Sequence, residues 1–149
     1  MKKVVGYAVV VLMLLALASC TPFWKPSESD LVMMEQTLGA ANVAEIALFT
    51  TMDALCAAGT LPADKCADGY GLDKEWQLSY SLAIGAIADY RSGVGGVEMI
   101  QKYYPQAIAT GVRIITLIKD LIASKPATAG AFKNGVSKFE RNIKLMQGK

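Results

Sequence analysis

The chain has 149 residues, of which three are Cys and none is His, and its formal net charge is +2. The absence of His excludes His-dependent acid–base catalysis, catalytic triads and His-ligated metal sites, and the small net charge does not favour nucleic acid as a partner. The length is enough for one domain, with room for a tail.

The N-terminal 19 residues predict a secretory signal peptide. Two lysines follow the first Met, residues 4–18 are apolar apart from Gly6, and small residues precede Cys20. The apolar run is shorter than the ~20 residues that a membrane-spanning helix needs. We therefore expect residues 1–19 to be cleaved. The alternatives are a signal anchor, or an ordinary signal peptide that happens to contain a Cys.

Leu17, Ala18, Ser19 and Cys20 resemble the lipobox of bacterial lipoproteins. The resemblance implies that Leu17, Ala18 and Ser19 are recognised by the signal peptidase, and that Cys20 becomes the lipid attachment site. Two or more acyl chains anchor a protein stably. Thr21 follows in place of Asp, which in the sorting pattern of enteric bacteria implies an outer-membrane protein facing the periplasm, with the inner membrane as the alternative.

Residues 20–29 are expected to form the lipidated Cys and an extended linker, because Pro22, Pro26 and two serines leave no helical period. Phe23 and Trp24 are candidate membrane-surface contacts, since aromatic side chains favour the headgroup region. The alternative is that Trp24 packs against the folded domain.

Residues 30–147 predict an all-α domain, because apolar residues recur at spacings of three and four with short connections between them. The expected architecture is an up-and-down bundle of four or five helices. We expect helices over 30–58, 62–68 and 72–91, a segment that starts near 97 and is kinked or interrupted at Pro105, and a last helix over 128–146. Ser27, Ser29 and Asp30 are candidate N-caps. Glu45 interrupts the apolar stripe of the first helix and is expected to be at its rim or paired.

Cys56 and Cys66 flank the predicted corner between the first helix and the next. Cysteines at such a corner can lie within bridging distance, and export would place them in an oxidising compartment. We predict a Cys56–Cys66 disulfide, with two free thiols or a redox pair as alternatives. The segment between the two cysteines is also similar to one in small helical lipoproteins carried by phages and prophages.

The two halves of the predicted mature chain differ in charge. Residues 20–75 have a net charge of −6 and residues 76–149 have a net charge of +6. Four cations of the last helix form a candidate basic face for anionic lipid headgroups or an acidic partner: Lys133, Lys138, Arg141 and Lys144. The alternative is that the acidic first helix packs beside the basic last helix and the charges cancel.

We find no glycine-rich phosphate loop in the required context, no calcium-loop spacing and no His to activate a serine. We therefore expect no catalytic residue, no metal site and no cofactor. The function we expect is that of a non-enzymatic, lipid-anchored envelope lipoprotein whose helices bind another protein. The alternatives are a carrier of an apolar ligand inside the bundle, and a phage-encoded lipoprotein of lysis or superinfection exclusion.

Replacing Cys20 with Ser should abolish lipid attachment, because only the sulfur can form the thioether. Metabolic labelling with a palmitate probe should mark the wild-type chain but not Cys20→Ser, and the variant should leave the membrane fraction. The double variant Cys56→Ser/Cys66→Ser is the matched control and should keep its label. Label retained in Cys20→Ser would contradict the lipobox interpretation.

Overall fold

The computed structural model describes residues 25–147, and within that range the chain is helical with no strand. The elements are α1 (Glu28–Ala57), α2 (Ala63–Arg91), α3 (Val97–Ser124), a 3-10 turn (Pro126–Thr128) and α4 (Ala129–Gln147). The all-α prediction is confirmed, with four helices. The predicted signal peptide, the lipobox and the Phe23–Trp24 pair lie outside the described residues.

Helix α1 begins at a capping box. The Asp30 backbone N–H donates to Ser27 Oγ at 3.2 Å, and the Ser27 backbone N–H donates to Asp30 Oδ2 at 3.0 Å. These bonds satisfy two backbone donors that the first turn of a helix leaves open. Ser27 is therefore the N-cap, and the helix starts at Glu28, two residues before the predicted boundary.

The corner between α1 and α2 is closed by the predicted disulfide. Gly59 takes a left-handed φ of 66° directly after α1, a conformation in which glycine avoids the steric cost of a Cβ. The Cα atoms of Cys56 and Cys66 are 6.1 Å apart, and their sulfurs are bonded. The Cys56–Cys66 prediction is confirmed.

Helix α2 is continuous from residue 63 to residue 91, so the predicted break between the 62–68 and 72–91 helices is wrong. Glycine at 69 and 71 weakens a helix by about 1 kcal/mol each, which is why the sequence suggests a break. Gly69 is buried, and a Cβ at that position would overlap the end of the Met52 side chain of α1. The close packing of α1 on α2 at Gly69 accounts for an unbroken helix.

Helix α3 also runs unbroken through Pro105. Of the two outcomes predicted there, a kink or an interruption, the interruption is therefore wrong. A proline inside a helix removes one backbone hydrogen bond and costs about 3 kcal/mol. Ile100 and Ile108 are both buried on either side of it. Burying an aliphatic side chain contributes about 1.5–3 kcal/mol, so packing on both sides offsets the cost of Pro105.

Helices that follow one another in the chain are antiparallel, as the short connections predicted. Arg91 at the end of α2 lies 2.9 Å from Glu28 at the start of α1. The Tyr104 hydroxyl in the first part of α3 lies 3.0 Å from Met146 Sδ at the end of α4. The most extensive helix contacts are α2 with α3 and α1 with α4, and α1 also packs against both α2 and α3. Helix α1 therefore has all three of the other helices as neighbours.

One buried cluster joins the four helices. Trp76 of α2 is fully buried, and its Nε1–H donates to Asn42 Oδ1 of α1 at 3.2 Å. A Cβ at Gly111 of α3 would lie 3.4 Å from the Trp76 ring and 3.2 Å from the ring of Phe139 in α4. The absence of a side chain at Gly111 thus lets two aromatic rings meet α3 in the centre of the bundle.

Removing the disulfide should lower stability without changing the fold. In the chain-entropy model, a bridge closing so short a loop contributes about 3 kcal/mol. Cys56→Ser/Cys66→Ser should therefore unfold at a lower urea concentration, as measured by circular dichroism. Wild type treated with a reductant is the control and should match the double variant. Equal midpoints for the variant and the oxidised wild type would contradict a stabilising bridge.

Candidate functional site

The predicted basic face on α4 is present and has no salt bridge to another described residue. Its four cations, Lys133, Lys138, Arg141 and Lys144, are all exposed. In the described range, the acids of α1 that form salt bridges, Glu28 and Glu35, pair with Arg91 of α2 instead. Helices α1 and α4 do pack together, but their charges do not cancel by direct pairing.

A groove of about 360 Å³ runs between α1 and α4 beside this face. Of the four cations on the basic face, only two line it; the lining consists of Gln36, Gly39, Ala40, Val43, Asn134, Gly135, Lys138, Arg141 and Asn142. The groove thus combines two cations and three amides with small residues, and its lining contains no acid. We call it the α1–α4 groove.

The close approach of two helices shapes one wall of this groove. A Cβ at Gly135 of α4 would lie 2.8 Å from the backbone of Ala44 in α1, closer than real side chains come. Any side chain at Gly135 would push the two helices apart. Glycine at this position therefore lets α4 lie close to α1. The polar residues Lys138, Arg141 and Asn142, on the next two turns of α4, line the groove beside this contact.

Asn142 is the least expected residue of the groove. It is 8% exposed, and its side chain makes no hydrogen bond with the residues that the structure describes. It is not among the candidate site residues predicted from the sequence. A signal was available, because Asn142 follows Phe132, Gly135 and Phe139 at alternating spacings of three and four, on the face of α4 that packs against the bundle.

A second groove, of about 370 Å³, lies between α2 and α3 and exposes apolar side chains. Leu78 is 63% exposed and Leu82 is 38% exposed. One rim holds a salt bridge between Glu75 of α2 and Arg113 of α3. We call this surface the α2–α3 groove; it is lined by Glu75, Leu78, Ser79, Leu82, Gln106, Ala109, Thr110 and Arg113.

Glu45 of α1 is a buried carboxyl group rather than a rim residue. It is 2% exposed, and its Oε1 accepts a hydrogen bond from Gln77 Nε2 at 2.8 Å. When Glu45 is ionised, its Oε2 has no hydrogen-bond partner among the described residues. When Glu45 is protonated, it can form a hydrogen bond with the Asp73 carboxyl group. Burial first, and then the interaction with Asp73, raise the pKa of Glu45 to about 7.

Two carboxyls and an amide could in principle support acid–base chemistry, but this cluster lines neither groove. Among residues 25–147, no group of three or more His, Cys, Asp or Glu is placed to hold a metal ion. Helix α1 is the one described helix that is long and apolar enough to cross a membrane. Its packing against the three other helices also accounts for that composition, since core helices of bundles are similarly apolar.

No protein-family model, no curated protein and no solved structure matches this chain. The function is therefore inferred from the residues of this chain and their geometry.

The buried Glu45 should make the protein less stable as the pH rises. Its pKa is raised in the folded state above its ordinary value of 4.5, so its stabilising contribution is present below about pH 4.5 and is lost as the pH passes about 7. The free energy of unfolding should fall by at most about 3 kcal/mol over this pH range. Glu45→Gln should remove most of this loss in urea unfolding series measured across that pH range.

Glu35→Gln on the same helix is the matched control. The hydrogen bond from Arg91 lowers the pKa of Glu35, so its contribution has the opposite pH dependence: it is present above its ordinary pKa and lost as the pH falls. Glu35→Gln should therefore leave the loss of stability toward neutral pH in place. A wild-type protein equally stable at the two ends of this range would contradict the assignment to Glu45.

Proposed function

We propose that this protein is a non-enzymatic lipoprotein of the bacterial envelope, attached through Cys20 and using its helical bundle to bind another protein. The lipobox resemblance at Leu17, Ala18, Ser19 and Cys20 supports the anchor, and Thr21 supports the periplasmic face of the outer membrane, with the inner membrane as the alternative. A Cys56–Cys66 disulfide is in keeping with an oxidising compartment.

The α2–α3 groove is the observation that carries the protein-binding proposal. Isolated exposed apolar residues are ordinary, but a group of them with a polar rim is typical of interaction surfaces. Leu78 and Leu82 are one turn apart on α2, so they lie on the same side of the helix. The Glu75–Arg113 salt bridge gives the groove a polar edge. Apolar anchors inside a polar border are the arrangement found at protein interfaces.

The alternative of an apolar-ligand carrier finds less support. Both grooves lie between pairs of helices at the surface, and the interior is filled by large side chains, among them Trp76, Ile87, Ile114 and Phe132. A role in phage lysis or superinfection exclusion rests only on the similarity of the segment between Cys56 and Cys66 to small helical lipoproteins of phages and prophages, and neither groove adds support for it.

Site-specific photo-crosslinking tests the protein-binding function. Ala109 is exposed and lines the α2–α3 groove, so a photoreactive phenylalanine analogue at position 109 should form an adduct of defined mass in intact cells. Leu78→Asp should reduce that adduct about tenfold, as loss of an apolar anchor does. Val94→Asp is the control, because Val94 is 83% exposed and lies outside the groove.

The proposal would be wrong in two cases. One is the absence of any adduct from position 109 in cells that produce the protein at its normal level. The other is an adduct that Leu78→Asp and Val94→Asp reduce equally, since that would show contact without recognition by the groove.

A further inference from the structure

The α1–α4 groove has the composition of an anion-binding site. Lys138 and Arg141 contribute two positive charges from adjacent turns of α4, and neither has a salt bridge to a residue in the range 25–147. The lining contains no acid to balance them. Two unopposed cations beside a concave surface raise the local concentration of anions.

Asn142 supplies an observation independent of this charge. The side chain is 8% exposed and lines the groove, yet its amide has no hydrogen-bond partner among the described residues. Among residues 25–147, the fully buried side-chain atoms that lack a partner include Glu45 Oε2 and no atom of Asn142, so the Asn142 amide is accessible from the groove. An amide held in this way inside a groove is suited to bind a polar group that enters from outside.

The arrangement of donors favours phosphate over carboxylate. Gln36 offers an amide from α1, while Asn142, Lys138 and Arg141 offer donors from α4. A phosphate group presents several oxygens in a tetrahedral arrangement and can accept from both walls together. A carboxylate presents two oxygens in one plane, which suits a single Arg.

We propose that the α1–α4 groove binds the phosphate group of an anionic ligand, with Lys138, Arg141 and Asn142 as its main donors. The ligand is either a soluble phosphate ester or the headgroup of an anionic phospholipid, since the two share the group that these residues recognise. This site is separate from the α2–α3 groove and does not depend on the proposed protein partner or on the lipid anchor.

Gly39 allows the groove to be blocked without changing any charge. It lines the groove, and a Cβ at that position would meet no atom within 4 Å. Gly39→Leu should therefore fill the groove and leave the fold intact, because leucine favours helix more than glycine does. Gly85→Leu is its matched control, since Gly85 has similar free space on α2 and lies outside the groove.

The test uses the full-length protein in uncharged detergent for glycerol 1-phosphate and in phosphatidylcholine nanodiscs, with or without phosphatidylglycerol, for the lipid. Calorimetric titration with the ester, and saturable NMR shifts of the Asn142 side-chain amide in either setting, report binding. Arg141→Gln and Gly39→Leu should each weaken binding about tenfold. Lys133→Gln removes the same charge from α4 but at a position outside the groove. It should change the binding affinity less than about twofold.

Saturable binding of the ester would identify a soluble phosphate compound as the ligand, and shifts that require phosphatidylglycerol would identify the headgroup; either supports the site. No saturable response to either probe would overturn it. Equal losses in Arg141→Gln and Lys133→Gln would also overturn it, because they would show attraction to the basic face as a whole. Thermal unfolding by circular dichroism confirms that each variant is folded.

Discussion

The structure depends on the packing of α1 against each of the other three helices. Its buried positions carry leucine, methionine and alanine; Met52 packs against Gly69 of α2, and Ala44 lies against Gly135 of α4. Large residues fill the interior, and small ones let α4 approach at Ala44 and Gly135. Because α1 contributes both to the α1–α4 groove and to the burial of Glu45, a change in its position would alter the two together.

The two surfaces to which we assign binding lie between different pairs of helices. The α2–α3 groove has no residue from α1, whereas the α1–α4 groove has four. One groove is apolar with a polar edge, and the other is cationic and rich in amides. If both proposals hold, the protein partner and the phosphate group bind at different pairs of helices.

The sequence predicted the fold class and the disulfide corner, and it placed the start of α1 within two residues, with Ser27 as one of three candidate N-caps. It failed at Gly69 and at Pro105, where local propensity and packing favour different outcomes. Glycine and proline each weaken an isolated helix. A prediction from local propensity alone therefore places a helix break at these residues. In the folded chain, Met52 packs against Gly69, and Ile100 and Ile108 are buried around Pro105. This tertiary packing explains why α2 and α3 are continuous helices.

What the sequence by itself determined is the set of local properties: the helical period, the capping residues, the charge of each half and the basic face of α4. Only the tertiary structure decided that Lys138 and Arg141 line a groove while Lys133 and Lys144 do not. It also decided that Asn142 and Glu45 are buried, Asn142 without a hydrogen bond to another described residue and Glu45 against Gln77. Periodicity places a residue on a face of its own helix, but burial and pairing depend on which other helix covers that face and how closely it approaches.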